Sequence, residues 1–360
     1  MNSDTGAMKI ENPLRQIQEQ FKKFKFTVAV KNIIYHFITR ERRCSFGDKN
    51  PDKTVYIIRS INEKSPFYIG AVQNLLANYF YVLSHIQYAR TRGWIPVVDQ
   101  LNYPVYNSRK EPINGTMNAW EYFWQQPGGI SLDEAYQSRN VVLSKQSWFW
   151  QWDMGYDSEK YRNEQIIDEF SRLTSSIPLN NEMETFVAAA KEAAFSNRKN
   201  VLGVNVRITG HSQKSAIHGN GHPVQPELDE LLQLVKCKMD LWGMEYVFLA
   251  SDTEFAAKRF REEFGEKLIL YVRERAEIGK EYERDYKKHM YAPEMMYQTA
   301  RDYLTEMELL SCCDALIGSI TSGLRYALIK NGNAFAHVEI IEKGFFRDDR
   351  YRNGCGCGNG

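Results

Sequence analysis

The sequence predicts an α/β protein built from two Rossmann-like domains that face one cleft. Strand and helix patterns alternate through both halves of the chain. The strands are unbroken apolar runs, such as "VLGVNV" at 201–206, as expected of parallel strands buried on both faces. Length agrees, since 360 residues is two domains at about 150 residues each.

The elements follow in order. Residues 1–12 are polar. Across 14–43, Leu14, Ile17, Phe21, Phe24 and Val28 recur at helical spacings. Basic residues from Arg15 to Arg43 outnumber Glu19 and Glu41 there. A basic amphipathic helix can lie on an anionic membrane, and the same pattern also describes a helix packed on its domain with a solvated basic face. Asn50-Pro51 reads as a break, and "TVYIIRS" (54–60) as a strand. A long helical pattern over 71–93 ends at Gly93, as at a C-cap. Strands "WIPVVD" (94–99) and "NVVLS" (140–144) come next, with helical patterns near 157–173 and 182–197.

The second half repeats the theme. Strands fall at 201–207, 245–251, 267–272, 314–319 and 334–340. Helices fall at 226–241, 253–265, 298–312 and 322–330, and residues 273–296, charged and rich in tyrosine, read as a loop or lid. The expected division is a basic helical segment 1–50, a first domain 51–197, a second domain 198–345 and a tail 346–360.

Composition excludes several classes. A formal net charge of +1 gives no global attraction to nucleic acid. The six cysteines show no paired spacing for zinc. Adjacent Cys312 and Cys313 lie in an apolar helical context and read as reduced core residues. No signal peptide opens the sequence and no apolar run is long enough to span a bilayer. GxxxxGK followed by Ser or Thr, GxGxxG after the first strand, GxSxG and Asp-x-Asp are all missing. These gaps disfavour a P-loop ATPase, a nicotinamide enzyme, an α/β-hydrolase and a metal-clamped nucleotide-sugar site.

Chemistry is expected beyond the carboxyl ends of the second-half strands. The first such end is Arg207-Ile208-Thr209-Gly210-His211. Arg207 offers a permanent, forked cation suited to phosphate oxygens, with a structural salt bridge as the alternative. Asp252, after "YVFLAS", is an acceptor for a ribose hydroxyl or a base N–H, or else the N-cap of the next helix. Thr321, Ser322 and Gly323 open a helix, and a helix start suits an anion. Trp120, Trp124, Trp148 and Trp150 are either core residues or platforms for sugar rings.

"GVNVRITG" resembles the "GVHVRRTD" strand-end motif of the fucosyltransferase superfamily, which includes the α-1,6-fucosyltransferases and protein O-fucosyltransferases. "VFLASDTEFAAKRFREEFG" resembles its "ATDD" strand and following helix, and "EMELLSCCDALIGSITSGLRYAL" its last motif. "YARTRGWIPVVDQLNYPVYN", "NAWEYFWQQPGGISLDEAY" and "GHPVQPELDELL" look like bacterial relatives found among surface-polysaccharide genes. The resemblance covers most of 54–340 and implies a GT-B fold, a GDP-sugar donor and inverting transfer with no metal and no cofactor.

Carried over by position, Arg207 matches the arginine on the donor diphosphate and Asp252 the acidic position near the guanosine. Thr321 and Ser322 match the phosphate-binding hydroxyls, and Asn205 stands where many members have histidine. Gly70 resembles the glycine turn of the first domain. The second arginine of the motif is Ile208 here and its aspartate is Gly210. Inversion needs a base for the acceptor proton. His211, His218 and His222 on the loop after Arg207, and Glu63 in the first-domain loop, are the candidates.

The expected function is a fucosyltransferase acting on a glycan or lipid-linked oligosaccharide. Its place would be cytoplasmic, with residues 14–43 suited to the inner face of the membrane. A transferase for another nucleotide sugar, and a non-catalytic nucleotide- or glycan-binding protein, are the alternatives.

Overall fold

The computed structural model describes residues 39–60, 75–102, 111–208, 223–277 and 295–346. Two sheets organise them. The first has four strands in the order β1-β4-β2-β3: β1 (Arg42–Cys44), β2 (Lys49–Arg59), β3 (Ile95–Asp99) and β4 (Ser138–Leu143). Strands β4, β2 and β3 run parallel, and β1 pairs antiparallel to β4 at the edge. Helix α1 (Leu75–Arg90) crosses from β2 to β3. It ends through a reversal in which Gly93 takes a positive φ of 66°, a region only glycine adopts freely. Short helix α2 (Leu132–Ala135) precedes β4, and helices α3 (Ser158–Arg162), α4 (Glu164–Ser175) and α5 (Asn181–Phe195) follow it.

The second sheet has five parallel strands in the order β7-β6-β5-β8-β9. They are β5 (Val201–Val206), β6 (Tyr246–Ser251), β7 (Leu268–Leu270), β8 (Ala315–Ser319) and β9 (His337–Ile341). Between them run α6 (Leu228–Trp242), α7 (Glu254–Phe264), α8 (Met296–Leu310) and α9 (Ser322–Asn331). Every residue of β5 is buried, including the polar Asn205, as a central parallel strand requires.

Two expectations change. The helical pattern of 14–43 does not reach its end, because Arg42 and Arg43 lie in β1, opposite Leu143 and Val142. The edge of a sheet offers unpaired backbone groups, and pairing them outweighs a helical periodicity carried by side chains alone. Nor does Asn50-Pro51 break the strand. Asn50 takes a positive φ of 48°, the register shifts between Lys49 and Thr54, and β2 continues through the irregularity. The rest of segment 1–50 up to residue 38, and the tail from 347, lie outside the described residues.

The two sheets share one core. Buried Tyr79, Phe80 and Trp120 of the first half form a single apolar cluster with Leu310, Leu324 and Tyr326 of the second. Tyr79 stands at its centre, with ring centroids 5.0 Å from Trp124 and 5.4 Å from Tyr326. Arg325 of α9 reaches across to the Asp153 carboxylate, with side chains only 7% and 5% exposed, and lies over the Phe80 ring. The two halves are therefore joined by packing, and helix α9 is clamped at its first turn.

Candidate functional site

In the second sheet the chain leaves β5 toward β6 on one side, and β8 lies on the other. That reversal is where an open parallel sheet leaves a crevice beyond its carboxyl ends. Arg207 follows β5 and Thr321 follows β8, on neighbouring strands. The sequence-predicted residues Asn205, Arg207, Asp252, Thr321, Ser322 and Gly323 therefore converge on one place.

Thr321 links the two strand ends. Its hydroxyl donates to Asn205 Oδ1 at 2.8 Å and accepts from the Leu324 N–H at 3.0 Å. It is the N-cap of α9, with φ of −143°. Arg325 N–H bonds back to the Thr321 carbonyl. The first turn thus leaves the N–H groups of Ser322 and Gly323 without an intrahelical acceptor, aimed with the positive end of the helix dipole. A Cβ on Gly323 would lie 2.7 Å from Met307 Sδ and 3.3 Å from the Tyr303 hydroxyl. Glycine is needed there for α8 and α9 to approach, and that approach brings the Tyr303 hydroxyl to the helix start.

Asp252 holds the other side. One carboxylate oxygen accepts from the Ile208 N–H at 2.9 Å, and the other lies 3.4 Å from Arg207 Nε. The carboxylate fixes the turn after β5 and the guanidinium that it presents. The N-cap of α7 is Thr253, which accepts from Ala256 N–H at 3.3 Å, so the capping alternative for Asp252 is corrected. Ile208 is 5% exposed and packs in the apolar cluster behind the sheet. A second arginine would not fit that environment.

Behind Arg207 lies a cationic cluster that sequence reasoning missed. The Arg273 and Arg275 side chains share the Glu306 carboxylate at 2.7 and 2.9 Å, all three nearly fully buried. Arg273 also donates to the Ser251 carbonyl at 2.8 Å, at the end of β6. The two guanidiniums share that carboxylate close to the crevice, and the Glu254 charge also acts on Arg275. Tyr303 sits within this field. Burial pushes its pKa up to about 12, Arg207 and Arg273 pull it down, and Glu306 and Asp252 push it up. The phenol therefore stays protonated and can donate. The signal in the sequence was two glutamates, Glu306 and Glu308, in the apolar end of a helix, "YLTEMELL", since buried carboxylates require partners.

Two further polar groups are aimed at the same place. Ser319 Oγ and Gln225 Nε2 are buried with no hydrogen-bond partner among the described residues. Both side chains line a cavity together with Asn205, Arg207 and Phe255. Buried polar groups are nearly always satisfied, and the space these two line, about 10 Å³, matches a single water. From the first half, exposed Tyr156 feels the charges of the site. The charges of Arg207 and Arg325 both lower its pKa against a larger rise from burial, and its ring faces Phe345 at 6.5 Å.

Other candidates fall elsewhere. His211, His218, His222, Glu63 and Gly70 lie outside the described residues. Trp120 and Trp124 are 0% and 2% exposed, which corrects the sugar-platform alternative for these two. Trp148 packs against Tyr81. No group of His, Cys, Asp and Glu among the described residues has the arrangement of a metal site. No described helix is long and apolar enough to cross a membrane.

No family model matches the sequence, and no curated protein matches it. Solved structures of fucosyltransferases are similar to it. Fucosyltransferase NodZ from Bradyrhizobium aligns at 16% identity over 76% of this chain and 92% of its own, with a TM-score of 0.40. FUT1 of Arabidopsis thaliana, solved with GDP, aligns at 14% identity over 83% and 71%, with a TM-score of 0.44. POFUT1, also solved with GDP, aligns at 12% identity over 79% and 98%, with a TM-score of 0.41.

Proposed function

We propose that this protein is a glycosyltransferase that takes a sugar from a nucleoside diphosphate, GDP-fucose first among the donors, and passes it with inversion to a glycan or lipid-linked oligosaccharide. The observation that carries this reading is Arg207, held by Asp252, beside the Thr321-capped start of α9 at the strand reversal. Breaking the bond between sugar and diphosphate builds negative charge on the leaving group. A fixed guanidinium, the free N–H groups of α9 and the Tyr303 hydroxyl stabilise that charge where it develops, and do so without metal. Arg273 and Arg275 add background potential.

The motif resemblance around Arg207 and Thr321 selects guanosine and fucose from the wider class. His211 or His222 is the base for the acceptor hydroxyl in this reading, with Glu63 and Gly70 on the acceptor side. Cytoplasmic work at the inner membrane face, assisted by 14–43, belongs to the same proposal, as does a role in bacterial polysaccharide synthesis. The burial of Ile208, where the motif has its second arginine, favours a second reading as a non-catalytic nucleotide binder.

Purified protein incubated with GDP-fucose, GDP-mannose or UDP-glucose separates these. The proposal expects GDP release from GDP-fucose above background, accelerated by a glycan acceptor. Release from none of the three, with GDP still bound, supports the second reading.

A further inference from the structure

A second cavity opens in the first half, where α1, α4 and the 3-10 turn Trp150–Trp152 meet. Its volume is about 170 Å³, a little more than the roughly 150 Å³ that accommodates a benzene ring in an engineered core. A single six-membered ring therefore fits. One wall is aromatic, made by half-buried Trp152 and Phe170. The other is polar, made by Gln87, Lys160, Glu169 and Asp153. The groove is open to solvent and Glu169 is exposed, so a ligand there would replace water on these polar groups.

The polar groups are oriented by contacts that leave capacity to spare. Gln87 Nε2 donates to Glu169 Oε1 at 3.3 Å, which leaves a carbonyl on one and a carboxylate oxygen on the other. Lys160 Nζ donates to the Asp153 carbonyl at 3.1 Å and keeps two further protons. Asp153 is neutralised by Arg325, and Lys160 offsets Glu169. The lining is therefore close to neutral overall, which disfavours an ion and suits an uncharged ligand rich in hydroxyls. Planar amide and carboxylate groups meet adjacent hydroxyls, and an indole face meets the C–H face of a ring.

We infer that this cavity is a saccharide subsite that holds one pyranose unit of the acceptor. The inference rests on the glycosyltransferase reading for the word acceptor, though not for the binding itself. Its position supports that role. Asp153 lines the cavity and grips the first turn of α9, and three residues on, Tyr156 stands in the field of Arg207. The segment that shapes the cavity thus also holds the start of α9.

Saturation-transfer NMR and calorimetry with methyl β-D-glucopyranoside, methyl β-D-galactopyranoside and N-acetylglucosamine test this. The expected result is saturable millimolar binding of at least one probe, with transfer strongest to the ring C–H protons. Trp152→Ala, and independently the exposed Glu169→Gln paired with Gln87→Ala, should weaken it about tenfold or more while GDP affinity stays within about twofold. The surface double variant serves even if Trp152→Ala unfolds, because neither of its residues belongs to the core. No binding of any probe by the parent protein, or undiminished binding by the double variant, overturns the inference. Saccharide binding without GDP binding would keep the subsite and remove the donor reading.

Discussion

At the residue scale, the site depends on side chains whose hydrogen-bonding capacity is already assigned. Thr321 gives its proton to Asn205 and a lone pair to Leu324, so it positions the helix start, and in the proposed function the hydroxyl left for a phosphate on that side is Ser322 or Tyr303. Tyr303→Phe isolates the latter. The ring keeps its packing, so thermal stability should barely change, while donor affinity should fall about tenfold, the worth of one hydrogen bond to a charged group. Unchanged affinity in a titration with GDP would remove Tyr303 from the site. Arg207, Asp252, Thr321, Ser322 and Gly323 were legible in the sequence because strand ends and helix starts can be located by pattern. Tyr303, Arg273 and Tyr156 were not, because they reach the crevice from a helix interior, a charged loop and the other half of the chain. Only packing of α8 on α9, and of the two halves together, brings them there.

At the element scale, two helices carry separate stability predictions. The cap of α9 is one hydroxyl with two bonds. Thr321→Val keeps the shape and removes both, and it should cost about 1–2 kcal/mol in denaturant unfolding. Helix α1 carries His85, buried among Tyr56, Tyr81 and Phe149. Burial holds its pKa at about 3, the Ser147 carbonyl opposes this, and Lys145 and Arg59 add to the fall. The unfolded chain takes up this proton near pH 6.5 and the folded one does not. As pH falls from about 6.5 toward about 3, the protein should lose ~1.4 kcal/mol of stability per pH unit from this group. His85→Gln can keep contacts to the Tyr56 hydroxyl and the Ser147 carbonyl. It should flatten the acid slope by about one proton relative to the parent; an unchanged slope would assign acid sensitivity to other groups. Most elements were legible from apolar runs and capping residues, with ends shifted by a few positions. Strand β1 was not, since Arg42 and Arg43 carry no strand pattern and their pairing with β4 is a tertiary event.

At the scale of the whole molecule, two sheets with one shared core make a single cooperative unit. Tyr79 and Phe80 pack against α9, and Arg325 locks α9 to Asp153. Separating the halves would expose that shared apolar cluster to water, so they should not part at low cost. Far-ultraviolet circular dichroism and tryptophan fluorescence should report one coincident urea transition. Two separated transitions would mean that the halves fold independently. The paired-sheet architecture followed from alternation of strand and helix in the sequence. The extent of the joint between the halves did not, because the pattern of α4, α5, α8 and α9 does not say which helices pack on one another.

In the proposed function, the strand reversal beside Arg207 receives a guanosine diphosphate. Calorimetric titration of GDP, with UDP and ADP as controls, into the parent protein and Arg207→Ala tests it most directly. GDP-selective binding by the parent should be lost in the variant, with a matching fall of roughly 10²–10³ in any transfer rate. Absence of GDP binding by the parent, or equal binding by Arg207→Ala, would contradict it.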